Sequence, residues 1–345
     1  MEPKFQVWLE EGGRYIIGEK EARILEGIRR HGSIMAAAKS VGVTYAHAWN
    51  LIENLSLRVG GPIVSAKRGG ESGGGSVLTK TGEELLSKYL EVEGSVAAYL
   101  GTPRKRVFPK VKVADLVIVG SSCVGLKKLA KLIEGISVEI VEVGSTAGMT
   151  AVMLGEADLA GIHLYDEYTK TYNLPYLGRT WPPGMAVLIK GYVREQGLIV
   201  RKGNPMGITS LRKAAELGAT IVNRNLGSGT RDLLERMMKQ EGVGSSELKG
   251  YSHEVRTHEE VAMAVKDGKA DVGIGIRAAA EALDLGFQKI CEEEFDFVCE
   301  RRRLNKKGVQ AFVNALRSGE FRIRLKQVPG FRCTDETGNI IEVKG

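Results

Sequence analysis

Apolar positions recur every three or four residues in four stretches before residue 100, and in short runs of four to seven after residue 110. The chain therefore changes architecture about a third of the way along. Ile24, Leu25 and Ile28 predict a helix over 21–31; Gly32 stops it and Ser33 caps a short second helix, 33–41, built on Met35-Ala36-Ala37-Ala38. After Gly42, Thr44 caps a third helix over 45–58, with Ala48, Leu51, Ile52 and Leu55 inward. Three helices with a tight turn at 40–44 form a helix-turn-helix pattern. Pro62-Ile63-Val64 and Val77-Leu78-Thr79 then predict two short strands around a glycine-rich loop that opens with Lys67 and Arg68. Such a wing can lie along a phosphate backbone, with the two cations as positioning contacts. Thr81 is expected to cap a helix over 82–100, with Leu85, Tyr89, Val92, Val96 and Leu100 along one side. A second subunit is the natural cover for that stripe, and the breaker and basic run at 101–106 end this part of the chain.

From residue 111 the pattern alternates strand and helix. Strands are expected at 113–119, 138–143, 157–162, 220–222, 250–255 and 270–276, with a run through 198–200 crossing between two lobes. Repeated β-α units imply parallel sheets that bind ligands at the carboxyl ends of their strands. Three strand ends share one chemistry: Gly120-Ser121-Ser122, Gly144-Ser145-Thr146 and Gly227-Ser228-Gly229-Thr230-Arg231 each lead into a helix. Bare N–H groups, hydroxyls and an arginine fork make an anion cradle, and three such turns suggest convergence on one ligand. His163 follows a strand whose end should open into the same cleft; a satisfied histidine at a lobe edge is the rival reading.

Composition narrows the class. At 345 residues, 43% hydrophobic and 26% charged, the chain has room for two or three domains. A formal charge of +7 permits a polyanionic partner without requiring one. No signal peptide or apolar span of membrane length is read, so a cytoplasmic protein with no membrane partner is expected. Cys123, Cys291, Cys299 and Cys333 are scattered and read as reduced thiols, with no metal site. Residues 120–127 approach a nucleotide-binding loop, but Lys127 falls one place late. His253 and His258 are five apart, one too many for a zinc-protease helix, and Glu292-Glu293-Glu294 reads as a solvated face. No catalytic constellation emerges, so no enzyme and no cofactor are expected.

The N-terminal motifs carry a resemblance. Gly32-Ser33-Ile34 with the alanine run, Gly42-Val43-Thr44-Tyr45 with Ala48-Trp49, and Lys67-Arg68-Gly-Gly with Leu78-Thr79-Lys80-Thr81-Gly82 resemble the ModE family of molybdate-responsive regulators, whose winged helix is of the LysR type. The resemblance implies that Thr44, Tyr45, His47 and Asn50 lie on the exposed start of a DNA-reading helix. Small β-barrel molybdate modules usually follow in that family, and this sequence has none. Its later part, through Asn223-Arg224, the GSGTR turn, Thr257-His258 and Asp271-Val-Gly-Ile-Gly, is instead similar to a two-lobed type II periplasmic-binding-protein fold. The expected fold class is multidomain: a winged helix-turn-helix domain (1–82), a dimerisation helix (83–108) and a two-lobed α/β effector domain with a C-terminal tail (109–345). The expected function is a dimeric, ligand-responsive transcriptional regulator that binds a double-stranded DNA operator, with pairing of dimers into tetramers left open. Its effector, on resemblance, is molybdate or tungstate. The alternative is a molybdenum-cofactor-related enzyme or carrier acting on an anionic or pterin substrate. The expected ligand residues are Ser121, Ser122, Ser145, Thr146, His163, Ser228, Gly229, Thr230 and Arg231.

Overall fold

A computed structural model describes residues 4–67, 75–102, 106–121 and 123–343. It divides into two compact units: one holds residues 1–119, 137–142 and 150–158, and the other holds 120–136, 143–149 and 159–345.

The first unit opens on a hairpin not anticipated from sequence, β1 (Trp8–Glu11) with β2 (Arg14–Gly18). Helix α1 (Glu19–His31) ends at Gly32 in the left-handed region, and Ser33 Oγ accepts from the Ala36 amide to start α2 (Ile34–Val41). Thr44 Oγ1 accepts from the His47 amide at the head of α3 (Tyr45–Val59). The wing strands β3 (Val64–Lys67) and β4 (Gly75–Leu78) pair antiparallel. Helix α4 (Lys80–Tyr99) begins two residues earlier than expected: Thr79, not Thr81, accepts from the Gly82 amide. Its buried face is Gly82, Leu86, Tyr89, Glu93 and Ala97, so Val92 of the expected stripe stays exposed. Buried Glu26 and Glu93 hold Arg106 at 3.1 and 2.7 Å.

Strands β5 (Leu116–Gly120) and β6 (Val138–Glu142) are neighbours. The later segments of the first unit also serve its helix-turn-helix. The buried Glu156 carboxylate accepts from Ser33 Oγ and from the Ile34 and Met35 amides at 2.9–3.1 Å. A carboxylate at a helix start satisfies orphan donors and the dipole together. Lys39 of α2 pairs with Glu139 at 2.5 Å.

The second unit contains α5 (Val124–Ala130), the start of α6 (Ser145–Met153), β7 (Leu159–Ile162), the small hairpin β8 (Tyr165–Asp166) and β9 (Thr171–Tyr172), and α7 (Leu174–Thr180). Two long antiparallel strands, β10 (Ala186–Val200) and β14 (Gly286–Glu300), run through it. Between them lie α8 (Leu211–Glu216), β11 (Ile221–Arg224), α9 (Gly229–Glu241), β12 (Glu254–Val255), α10 (His258–Lys266), β13 (Val272–Ile276) and α11 (Arg277–Glu281). Neighbouring strands run β12-β11-β13-β10-β14-β7; β11 is parallel to β12 and β13, as the β-α pattern implied. After α12 (Lys307–Arg317) and α13 (Gly319–Lys326), the tail strands β15 (Phe331–Arg332) and β16 (Ile340–Glu342) pair with β10 rather than with each other.

Parallel β11–β13 aim their carboxyl ends, and hence the starts of α9 and α10, toward one side. One buried face of β10 and β14 brings Tyr192 opposite Phe295 and Arg194 opposite Glu293. The side-chain period of two explains the outcome at Glu292-Glu293-Glu294: a strand must turn the middle residue away from its neighbours. Glu293 is 3% exposed, which corrects the solvated-face reading.

Candidate effector site

The three glycine-hydroxyl turns do meet in the second unit. Ser121 Oγ lies 2.9 Å from Ser145 Oγ, and Ser145 Oγ accepts from the His163 amide at 3.1 Å. The α9 turn closes on them: Gly227 has φ +79°, and a Cβ on Gly229 would sit 2.5 Å from His163 Nδ1. Only glycine permits that approach. Thr230 Oγ1 is 3.4 Å from the Gln196 amide group, and Ser228 Oγ is committed as the α9 cap, accepting from the Arg231 amide. Thr146 is exposed, and Ser122 lies outside the described residues.

At the centre of the convergence stands Glu293. His163 Nδ1 donates to its Oε1 at 2.7 Å; Arg194 Nε and Gln196 Nε2 donate to its Oε2 at 2.6 and 2.8 Å. Burial alone would raise its carboxyl pKa, but the Arg194 charge, then His163, outweigh it and hold the group well below the usual carboxylate range. The chain Ser121–Ser145–His163–Glu293–Gln196–Thr230 is thus one polar network whose hub is a side chain that sequence reading assigned elsewhere.

Arg231 departs from its expected role. Its Nε pairs with Glu235 at 2.6 Å, its Nη1 with Glu254 at 3.0 Å, and its guanidinium lies 4.4 Å from the Tyr251 ring centroid. As the third residue of α9 it points along the helix flank, where an i+4 glutamate waits. The cations left for a ligand are others. Arg194, 1% exposed, has no partner for Nη1 or Nη2; Arg224, at the end of β11, has none for Nε or Nη1; His258, the first residue of α10, has none for Nδ1. All five nitrogens are sealed from solvent.

The charge of Arg194 acts on both of the other two groups. Burial, and then repulsion from Arg194, push Arg224 down to about 10. Burial, then Arg224 and Arg194, hold His258 well below its ordinary value, so its ring is neutral. Arg194 pairs with Glu293 through Nε alone, and a buried unpaired donor costs about 1–3 kcal/mol, more when charged. Such donors are suited to an anion with several acceptor oxygens.

His258 also sets a pH dependence. The folded protein refuses a proton that the unfolded chain takes up below about pH 6.5, so this contribution to stability is complete above that pH and is lost as pH falls. Urea unfolding at pH 5, 6 and 7 should show the wild type losing stability relative to His258→Asn as pH falls, by at most about 1.4 kcal/mol per pH unit and more steeply from 6 to 5 than from 7 to 6. Parallel curves for the two proteins would refute it.

In the first unit, Thr44, His47 and Asn50 are exposed as expected at the start of α3. Tyr45 is not: it is 4% exposed and stacked on Trp49 with centroids 6.0 Å apart. The buried stripe of α3 runs Tyr45, Ala48, Trp49, Ile52, Leu55, and a residue four before Trp49 shares its face. Tyr45 is therefore core, a correction to its expected DNA-facing place. Lys67 ends β3, and Arg68 lies outside the described residues.

The PBP superfamily domain matches residues 126–317, more than half of the chain. The chain belongs to the PBP superfamily. The protein YvgK of Bacillus subtilis, described as uncharacterized, is 32% identical over 198 residues, 57% of this chain and 63% of YvgK. The molybdenum-pterin-binding protein MopB of Rhodobacter capsulatus is 39% identical over 89 residues, 26% of this chain and 33% of MopB. The transcriptional regulator ModE of Haemophilus influenzae is 38% identical over 73 residues, 21% of this chain and 29% of ModE. These matches bear out a ModE-like chain with a PBP-like domain, and the chain spans under two thirds of the length of each relative. MopB is described as a binding protein and ModE as a transcriptional regulator. Among the described residues no helix is long and apolar enough to cross a membrane, and no cluster of acidic, histidine and cysteine side chains could hold a metal.

Proposed function

We propose that this PBP-superfamily protein is a DNA-binding transcriptional regulator whose second unit takes a small oxyanion, molybdate or tungstate, as effector. The observation that carries the effector site is the set of five buried, unpartnered nitrogens on Arg194, Arg224 and His258, beside hydroxyls gathered from three helix starts. Such ions offer many acceptor oxygens and need only limited countercharge. Relatives described as a molybdenum-pterin-binding protein and as a transcriptional regulator support the choice of a molybdenum oxyanion and of an operator as partner. His47 and Asn50 on α3 meet base edges, Lys67 and Arg68 meet phosphates, and the exposed side of α4 around Val92 meets a second copy.

Calorimetric titration of the full chain with molybdate, tungstate, sulfate and phosphate tests the effector. Saturable heat with at least one metal oxyanion is expected, and its loss in Arg194→Met places the ion. Absence of heat with both metal oxyanions overturns the assignment.

A further inference from the structure

We propose that Glu156 and Glu139 form an autoinhibitory latch on the helix-turn-helix, occupying the groups of α2 that would otherwise hold a DNA phosphate backbone. The inference rests on the DNA-binding reading above. In a helix-turn-helix the first helix crosses the backbone while the second enters the groove, and the first helix here is α2. A helix start presents unpaired N–H groups and the positive end of its dipole, which suits a phosphate. In this structure that place is taken. The Glu156 carboxylate, 5% exposed, accepts from Ser33 Oγ and the Ile34 amide at 2.9 Å and from the Met35 amide at 3.1 Å. Further along α2, the Lys39 ammonium pairs with Glu139 of β6 at 2.5 Å.

Neither carboxylate belongs to the helix-turn-helix. They come from residues 137–142 and 150–158, later segments that the first unit incorporates. The same segments reach α3: β6 packs against it, and the charge of Glu156 acts on Tyr45, whose buried Oη has no hydrogen-bond partner. Helix α2 already has a cap of its own, because Ser33 Oγ accepts from the Ala36 amide. Glu156, 123 residues further along the chain than Ser33, adds an anion where DNA would bring one. Two anions cannot hold the same donors, so carboxylate and phosphate exclude each other.

Phosphate contacts carry no sequence information, so a duplex of mixed sequence is a sufficient probe. The test follows the anisotropy of such a fluorescein-labelled duplex, titrated at low salt with the full chain as wild type, Glu156→Gln, Glu139→Gln and Glu11→Gln. Glu156→Gln and Glu139→Gln should each tighten binding about three- to tenfold, since DNA no longer displaces a capping carboxylate or an ion pair. Glu11→Gln, the same loss of charge at an exposed strand end, should change binding by less than about twofold. In a Lys39→Gln background the gain from Glu139→Gln should vanish, which a general change of net charge would not produce. Glu139 is only half-buried, so its variant reads out the latch even where Glu156→Gln loses stability. Absence of a gain in Glu139→Gln, or an equal gain in Glu11→Gln, overturns the latch and leaves DNA binding standing. No binding by the wild type or any variant overturns the DNA-binding reading as well.

Discussion

Replacing Arg224 with methionine should weaken oxyanion binding ten- to a hundredfold, and should do so without destabilising the ligand-free protein. Two buried nitrogens of Arg224, Nε and Nη1, lack partners, although its side chain is only half-buried overall and its Nη2 donates to the Arg256 carbonyl at 2.6 Å. A hydrogen bond to a charged group contributes about 1.5–3 kcal/mol once its partner is present, which is that range of affinity. In the empty protein the same charge is a burden, as its depressed pKa shows. Methionine keeps the packing stem and removes the charge, so the ligand-free variant should gain about 1 kcal/mol after losing the Arg256 bond. Paired measurements decide it: calorimetric titration with molybdate and tungstate, and urea unfolding without ligand. A variant that loses stability and binds as the wild type would show Arg224 to be a structural cation.

Glu293 should behave in the opposite way. Its carboxylate receives Arg194, Gln196 and His163. Glu293→Leu strands all three buried donors, and removing one member of a buried ion pair costs about 3–5 kcal/mol. The double variant Arg194→Met/Glu293→Leu removes both charges and should recover a large part of that loss, because the cost lies in the uncompensated guanidinium rather than in the missing contact. Chemical denaturation of the two single variants and the double variant measures the coupling. Additive losses would place Arg194 and Glu293 outside a common network. The two expectations together separate the roles of the guanidiniums: Arg194 is balanced internally and Arg224 is not.

The local elements followed from local chemistry. Ser33 and Thr44 each cap the helix their position implied, since an N-cap bond spans only three residues. At the start of α4 the strand end at Leu78 moved the cap from the expected Thr81 to Thr79, which also donates to the Pro62 carbonyl, at 2.7 Å, and is fixed there. The tyrosine at 45 misled because a helix start looks exposed in sequence, whereas its partner four residues on, Trp49, belongs to the core.

The sequence by itself determined the order of elements, a helix-turn-helix with its wing followed by parallel β-α units, and the three glycine-hydroxyl turns. Each rests on periodicity or on contacts within a few residues. Only the tertiary structure decided which charges those turns surround. Arg194 and Glu293 are 99 residues apart in the chain and meet because β10 and β14 pair in one register. His258 joins Arg224 because β12 lies parallel to β11 and delivers the start of α10 to the same side. Register and crossover are set by packing over the whole sheet, so no window around GSGTR could show that Arg231 turns to Glu235 and Glu254 while Arg194 and Arg224 keep buried, unpartnered nitrogens.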